Sequence, residues 1–418
     1  MVDTTRRRSL PSRSTMGTSI GMIAHDFTGA LDSLAAFVEA PGDTVVFLVP
    51  GETADNARNI AIVTATQTAS PATAYTRVRD AARELTGRHI FKRVGSTLRG
   101  NIGPEVRAVI DETGTTALVC SALPREGRTV VDGIGRLNSV PLHLTEYGRD
   151  PTVPCRESSI PAILREAKIA VSCVPLHTVR DGVEALHQTL RATTSEAVVV
   201  DAETDDDMRT IAWALAALGT DWCACASSGL SPHLAKALGR RTTAMQSTRP
   251  RFADSGVLAV IGSTSTVSAT QVARLDELEK VTVIRIEAPA LCTESPEVAH
   301  WVDKALGVLA NGHSAVLTTS LSSVVPYLID QVAPRLGSLA ARVVQRGCTS
   351  ALVLSGGQTA LNTCNELGIS SVEVQAEIEP GAVHSHGTDG EGIDRKIVSK
   401  AGGFGDSEML VRLLERIR

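Results

Sequence analysis

A chain of 418 residues is longer than one ordinary hydrophobic core supports, so two domains are expected. Hydrophobic residues make up 43% and charged residues 21%, while aromatics reach only 3% and the net charge is -5. The shortage of rings argues against base-stacking nucleic-acid surfaces, the charge gives no reason for a polyanionic partner, and no apolar run approaches the roughly 20 residues that span a bilayer. The eight cysteines are scattered, and the Cys223/Cys225 spacing suits no structural zinc site. They read as reduced thiols of a cytoplasmic protein.

Residues 1–19 hold Arg6-Arg7-Arg8 among Ser and Thr and read as a disordered basic tail. Strands are then predicted over Ile20–Ala24, Thr44–Val49, Ile60–Thr64, His89–Val94, Ala117–Ala122, Ala170–Val174 and Ala197–Val200. Helices are predicted between them, over Ala72–Leu85, Pro104–Glu112, Ser158–Ala167, Gly182–Arg191 and Asp206–Leu218. Residues 241–254 have neither period and read as a linker. The rhythm restarts with strands Val257–Ile261, Val281–Ile286, Ala315–Thr319 and Ala351–Leu354. Between them lie helices Ser268–Leu278 and Pro296–Ala310 and a helical stretch Leu321–Arg346 divided by Pro326 and Pro334. The expected fold class is α/β: two domains, over 20–240 and 255–418, each a mainly parallel sheet flanked by helices, with the working site in the cleft between them.

Ligands in parallel α/β sheets sit beyond the carboxyl ends of strands. Four motifs fall there. In the first, His25-Asp26-Phe27-Thr28-Gly29-Ala30, Asp26 can orient a substrate hydroxyl and take its proton, or merely cap a helix. His25 is a second candidate base or a buried, satisfied imidazole. The second motif runs from Lys92 to Gly103 and packs Lys92, Ser96, Thr97, Arg99 and Asn101 around glycines. This is a ready cradle for a small polyhydroxylated anion, because Arg grips a carboxylate with two donors and Lys adds a point charge. Arg128 and Thr129, in Pro124-Arg125-Glu126-Gly127-Arg128-Thr129, form the third motif and reach for the same place. The fourth is a set of glycine turns at Gly262-Ser263-Thr264-Ser265, Gly356-Gly357-Gln358-Thr359 and Lys400-Ala401-Gly402-Gly403-Phe404-Gly405, which favour a nucleotide phosphate site. None is a Walker A loop or a dinucleotide fingerprint, which sets aside a nicotinamide oxidoreductase. His384-Ser385-His386 with Asp389 reads as a mobile loop in preference to a metal pocket, and no metal ligand is assigned.

Together these segments resemble the four-carbon acid sugar kinase family, over nearly the whole chain beyond the tail. Ile23-Ala24-His25-Asp26-Phe27-Thr28-Gly29-Ala30 is similar to the family's Ile-Ala-Asp-Asp-Phe-Thr-Gly-Ala. The Lys92–Gly103 segment is similar to its Lys-Lys-x-Asp-Ser-Thr-Leu-Arg-Gly-Asn-Ile-Gly. The resemblance implies an ATP- and Mg²⁺-dependent transferase that phosphorylates a tetronate or 3-oxo-tetronate, with domain closure excluding water. It places Asp26, Lys92, Ser96, Thr97 and Arg99 in the acid site, to which the reading of the residues adds Asn101 and Arg128; His25, Asp26 and Arg99 are the catalytic candidates. It places Ser263, Gly356, Gly357, Gln358, Thr359 and a glycine among Gly402, Gly403 and Gly405 on the ATP side, where the glycine turn also puts Ser265. The partners expected are the acid and ATP, and a homodimer is compatible with them. His25, Gly95 and Gln358 stand where the family usually carries carboxylates, which leaves a second reading open: a relative that binds acid or nucleotide without turnover.

Overall fold

The computed structural model describes residues 19–51, 57–240, 256–293, 295–319, 325–347, 349 and 351–417. The expected tail, up to residue 18, and the expected linker over 241–254 lie outside them. The first half contributes strands β1 (Ile20–Ala24), β2 (Thr44–Phe47), β3 (Asn59–Val63), β4 (His89–Arg93), β5 (Thr116–Cys120), β6 (Arg128–Val131), β7 (Ile134–Leu137), β8 (Val140–Pro141), β9 (Val171–Val174), β10 (Ala197–Val200) and β11 (Trp222–Ala226). The second contributes β12 (Leu258–Ile261), β13 (Val281–Arg285), β14 (Ser314–Thr318), β15 (Leu352–Ser355), β16 (Ser371–Glu379), β17 (Ala382–Thr388) and β18 (Asp394–Lys400).

The α/β class is as expected, but the halves do not keep separate sheets. Fifteen strands form one sheet in the order β13-β14-β12-β15-β18-β17-β16-β2-β3-β1-β4-β11-β5-β10-β9, and β6-β7-β8 form a small antiparallel one. The join is antiparallel: β2 runs along β16 with Val46 opposite Val372, and β16, β17 and β18 form a meander. On either side of it the strands are parallel. One apolar core runs from Ile20 in β1 to Ile397 in β18, so both halves share it.

Two parts of this sheet escape a reading of hydrophobic runs. Strand β11 is Trp-Cys-Ala-Cys-Ala, without a β-branched residue, yet it lies fully buried between β4 and β5. The meander alternates, with Val372 and Val374 inward and Glu373 and Gln375 between them, so it holds no continuous apolar run. His384 and His386 therefore stand on a strand, not in the mobile loop expected there. His386 Nδ1 is 2.9 Å from Asp394 Oδ2, and Asp389 is occupied by the backbone N–H groups of Glu391 and Ile393 and by Arg395. Among the described residues no cluster of His, Cys, Asp or Glu could hold a metal ion, and no helix is long and apolar enough to cross a membrane.

Pro326 opens a short 3₁₀ turn, but Pro334 does not divide the helix Ile329–Arg346. It stands six residues in, where its missing N–H forfeits one bond near the end. Other helix starts follow local chemistry. Ser70 caps Pro71–Glu84, with proline in the first turn, and Thr204 with Asp207 forms a capping box on Asp205–Leu218.

The helix Ile102–Thr113 approaches its neighbour closely at Gly103. A Cβ there would stand 2.8 Å from the Ile163 carbonyl oxygen and 3.0 Å from Ala167 Cβ. Gly103→Ala is expected to cost about 1–3 kcal/mol of stability, because backbone cannot yield as a side-chain tip does. Urea unfolding measures it, and an unchanged midpoint would show that this helix pair has slack.

Candidate active site

His25 and Asp26 follow strand β1. Asp26 caps the helix Phe27–Leu34, accepting from the Gly29 N–H and, at 3.2 Å, from the Thr28 hydroxyl. Its other oxygen lies 2.9 Å from His25 Nε2 and 3.5 Å from Arg93 Nη1, and Arg93 Nη1 is 3.2 Å from His25 Nε2. Burial pushes the Asp26 carboxyl up, but Arg93 and His25 beside it and the Gly29 N–H more than offset this and hold it well below the usual carboxylate range. Such a carboxylate accepts hydrogen bonds well and takes protons poorly. His25 is 3% exposed and Nδ1 lies 4.0 Å from Glu105 Oε2, so both ring nitrogens face protein charges.

Lys92 is the principal correction to the expected cradle. It is completely buried, with Nζ 2.7 Å from Glu105 Oε2 and 2.7 Å from the Arg93 carbonyl oxygen. Thr66 donates to Glu105 Oε1 at 2.6 Å. Lys92 therefore supports the site from beneath instead of gripping an acid. Asn101 also departs from expectation: its amide nitrogen donates to the Thr66 and Ala69 carbonyls at 2.8 Å, tying the turn after β3 to the one after β4. Sequence reading missed Glu105 and Arg93. Glu105 follows the second motif by two residues, and a carboxylate in the first turn of the helix behind a Lys-bearing strand was the signal available.

The remaining cradle residues do converge. Arg128 donates from Nη1 to Ser96 Oγ at 3.1 Å and from Nη2 to the Tyr147 hydroxyl at 2.7 Å. Arg99 donates from Nε to Thr97 Oγ1 at 3.0 Å and pairs with Asp150. Gly127 holds the turn that presents Arg128: its φ is +65°, and a Cβ would stand 2.3 Å from Asn138 Oδ1. Gly95 lies beside the His25–Arg93 pair, and a Cβ there would meet Arg93 Nη1 at 3.4 Å and His25 Cε1 at 3.5 Å. Two of the three departures from the family pattern thus occupy one spot.

On the other side, the turns after β12, β15 and β18 meet. Gly402 has no room for a side chain, since a Cβ would stand 2.1 Å from Ser263 Oγ. Its carbonyl accepts from Ser265 Oγ and Ser268 Oγ at 2.8 Å and from Lys400 Nζ at 3.1 Å. Burial pulls the Lys400 ammonium down to about 7, against the attraction of Glu126. Thr359 is buried against Gly262, while Gln358 lies in the first turn of the helix Gly357–Glu366. Gly403 faces open space, and Gly405 packs on Met409. Gly356, at φ +103°, starts that helix without a side-chain cap, and the Ser355 hydroxyl is buried without a partner. Free N–H groups at a helix start, with an orphan hydroxyl beside them, fit a phosphate group. Mg²⁺ is commonly held by one or two carboxylates and the phosphates themselves, and among the described residues no cluster forms a dedicated cage for it.

These two sides touch. A Cβ on Gly357 would stand 3.3 Å from both Asp26 Cβ and Thr28 Oγ1. The uncapped helix start of the second half therefore abuts the Asp26 turn of the first.

The Glu105 carboxyl is pushed up by burial but held below its usual value by Lys92, His25 and the Thr66 hydroxyl. A depressed folded pKa gives stability that is complete above the unfolded value and lost as pH falls. Burial likewise lowers His89 and His384 to about 4. Stability is expected to decline as pH drops below about 6.5, where the histidines charge in the unfolded chain, and to fall further below about 4 through Asp26 and Glu105. Glu105→Gln, which strands the Lys92 ammonium, should cost about 3–5 kcal/mol at neutral pH. Urea midpoints over this pH range test both, and a Gln variant as stable as the parent would dissolve the pair.

The geometry has counterparts among known proteins. The model of a sugar-binding N-terminal domain matches residues 20–234, and that of a nucleotide-binding C-terminal domain matches residues 258–410. A D-erythronate kinase of Heliobacterium modesticaldum is 29% identical, covering 93% of this chain and 95% of its own length. A D-threonate kinase of Bordetella bronchiseptica is 30% identical, covering 96% and 98%. The fold matches a crystal structure from Salmonella typhimurium LT2 with a TM-score of 0.77 at 22% identity, covering 94% of this chain and 98% of that one. The chain belongs to the four-carbon acid sugar kinase family.

Proposed function

We propose that this protein transfers a phosphoryl group from ATP to a hydroxyl of a small four-carbon sugar acid, a tetronate or 3-oxo-tetronate. The observation that supports the reading is the contact between the Gly357 helix start and the Asp26–Thr28 turn, which sets a phosphate-type turn of one half against an acid-type turn of the other. Arg99 and Arg128 take the acid's carboxylate, and Ser96 and Thr97 take its hydroxyls. Asp26 orients the attacking hydroxyl. Its depressed basicity is no obstacle, because a loose phosphoryl-transfer transition state asks more for alignment and charge stabilisation than for a strong base. Gly356, Gly357, Ser263 and Gly402 hold the phosphates; ATP supplies the phosphoryl group and Mg²⁺ balances its charge. The described cysteines are free thiols, which supports a place in the cytoplasm with its ATP supply.

The rival reading, binding without turnover, draws on His25 and Gly95 standing together where carboxylates are expected. Coupled ADP release over a panel of tetronates and 3-oxo-tetronates separates the two. Turnover with at least one acid is expected, and Arg128→Ala should lower kcat/KM for that acid by about 10²-fold or more through lost charge-assisted contacts. ATP binding without turnover of any acid overturns the kinase reading. In that event, activity gained by the double change His25→Asp with Gly95→Asp would trace the loss to this one spot.

A further inference from the structure

Arg128 sits in the acid site, yet part of its support comes from the nucleotide side. Its guanidinium lies 5.3 Å from the centroid of the Tyr147 ring and 5.3 Å from that of Phe404. Tyr147 belongs to the first half; Phe404 stands on the loop after β18, two residues from Gly402. Arg128 is 5% exposed and its Nε is buried without a hydrogen-bond partner, so ring faces supply much of what water would otherwise give.

Phe404 is itself held firmly. Its carbonyl accepts from Gln271 Nε2 at 3.1 Å and its N–H donates to Ala401. Gly381 makes room for the ring, since a Cβ there would stand 2.5 Å from Phe404 Cδ1. Through Gly402 the same loop is tied to Ser265, Ser268 and Lys400. The turn that carries Arg128 is also pinned by Arg125, which lies 3.3 Å from Asp32 and 3.7 Å from Glu377 on β16.

We infer that Phe404 is a positioning residue: from the phosphate-binding loop it fixes Arg128 against Ser96 and so couples nucleotide binding to acid binding. The inference rests on the kinase reading for the identity of the ligands, but its core is a contact that can be measured without them. In a double-mutant cycle of Arg128→Ala and Phe404→Leu, urea unfolding is expected to show non-additivity corresponding to about a 2- to 30-fold factor in the folding equilibrium. Additive effects overturn the inference whatever the substrate proves to be.

Calorimetry supplies the functional arm, using the acid found to turn over and a non-hydrolysable ATP analogue. Phe404→Leu should weaken acid binding in the presence of the analogue by about 3-fold or more, leave the analogue's own affinity within about 2-fold, and be rescued by Phe404→Tyr, which keeps the ring. An equal loss of acid binding with and without the analogue, or no loss at all, contradicts the coupling. A wild-type protein that binds no acid defeats the kinase reading, while the cycle still decides the contact.

Discussion

Everything at the acid side stands on a charge pair that never meets solvent. Lys92 and Glu105 lie together beneath the ends of β1, β3 and β4, and each would be costly to bury alone. Their pairing fixes the start of the helix Ile102–Thr113 against β4, and Thr66 adds the turn after β3. His25 faces Glu105 from one side and Asp26 from the other, which passes the constraint to the helix Phe27–Leu34. Three strand-to-helix turns are thereby set relative to one another by charge before any ligand arrives. Groups held this way need little reorganisation, the condition under which electrostatic stabilisation is effective.

Much of this was legible in the chain. Parallel strands announce themselves as short apolar runs between turn residues, so β1, β4 and β10 stood where expected. The motifs announced the turns, because few sequences need glycine, hydroxyls and cations so closely spaced. Side-chain direction was less legible. Lys92 and Arg99 are both cations of one motif, but the pleat sends Lys92 into the core, and only the burial of Glu105 behind it makes that tolerable. Asn101 looked like a ligand group and is a backbone tie, since an amide serves either purpose equally well. Long-range partners were not legible at all: Tyr147, Asp150 and Phe404 lie far in sequence from the arginines they hold.

The pairing of His25 with Gly95 shows how a substitution is read better in space than in sequence. Singly, each is a lost acid. Together they are an imidazole filling the room beside a residue with no side chain, next to Arg93. The patch has gained hydrogen-bond donors where the family pattern has acceptors.

The continuous sheet has a mechanical consequence. Two lobes on a flexible linker can swing; two lobes stitched edge to edge through β2 and β16 cannot do so without breaking main-chain bonds. Any opening for substrate must be absorbed where the sheet is already irregular. The register between β16 and β17 slips between Val374 and Ala376 and again between Glu377 and Glu379. A bulge bends its strand and increases the local twist. Glu377, at the second slip, is the residue that reaches Arg125. The bulged ribbon of the sheet thus lies beside the turn that carries Arg128, so any twist of one half against the other falls next to that arginine.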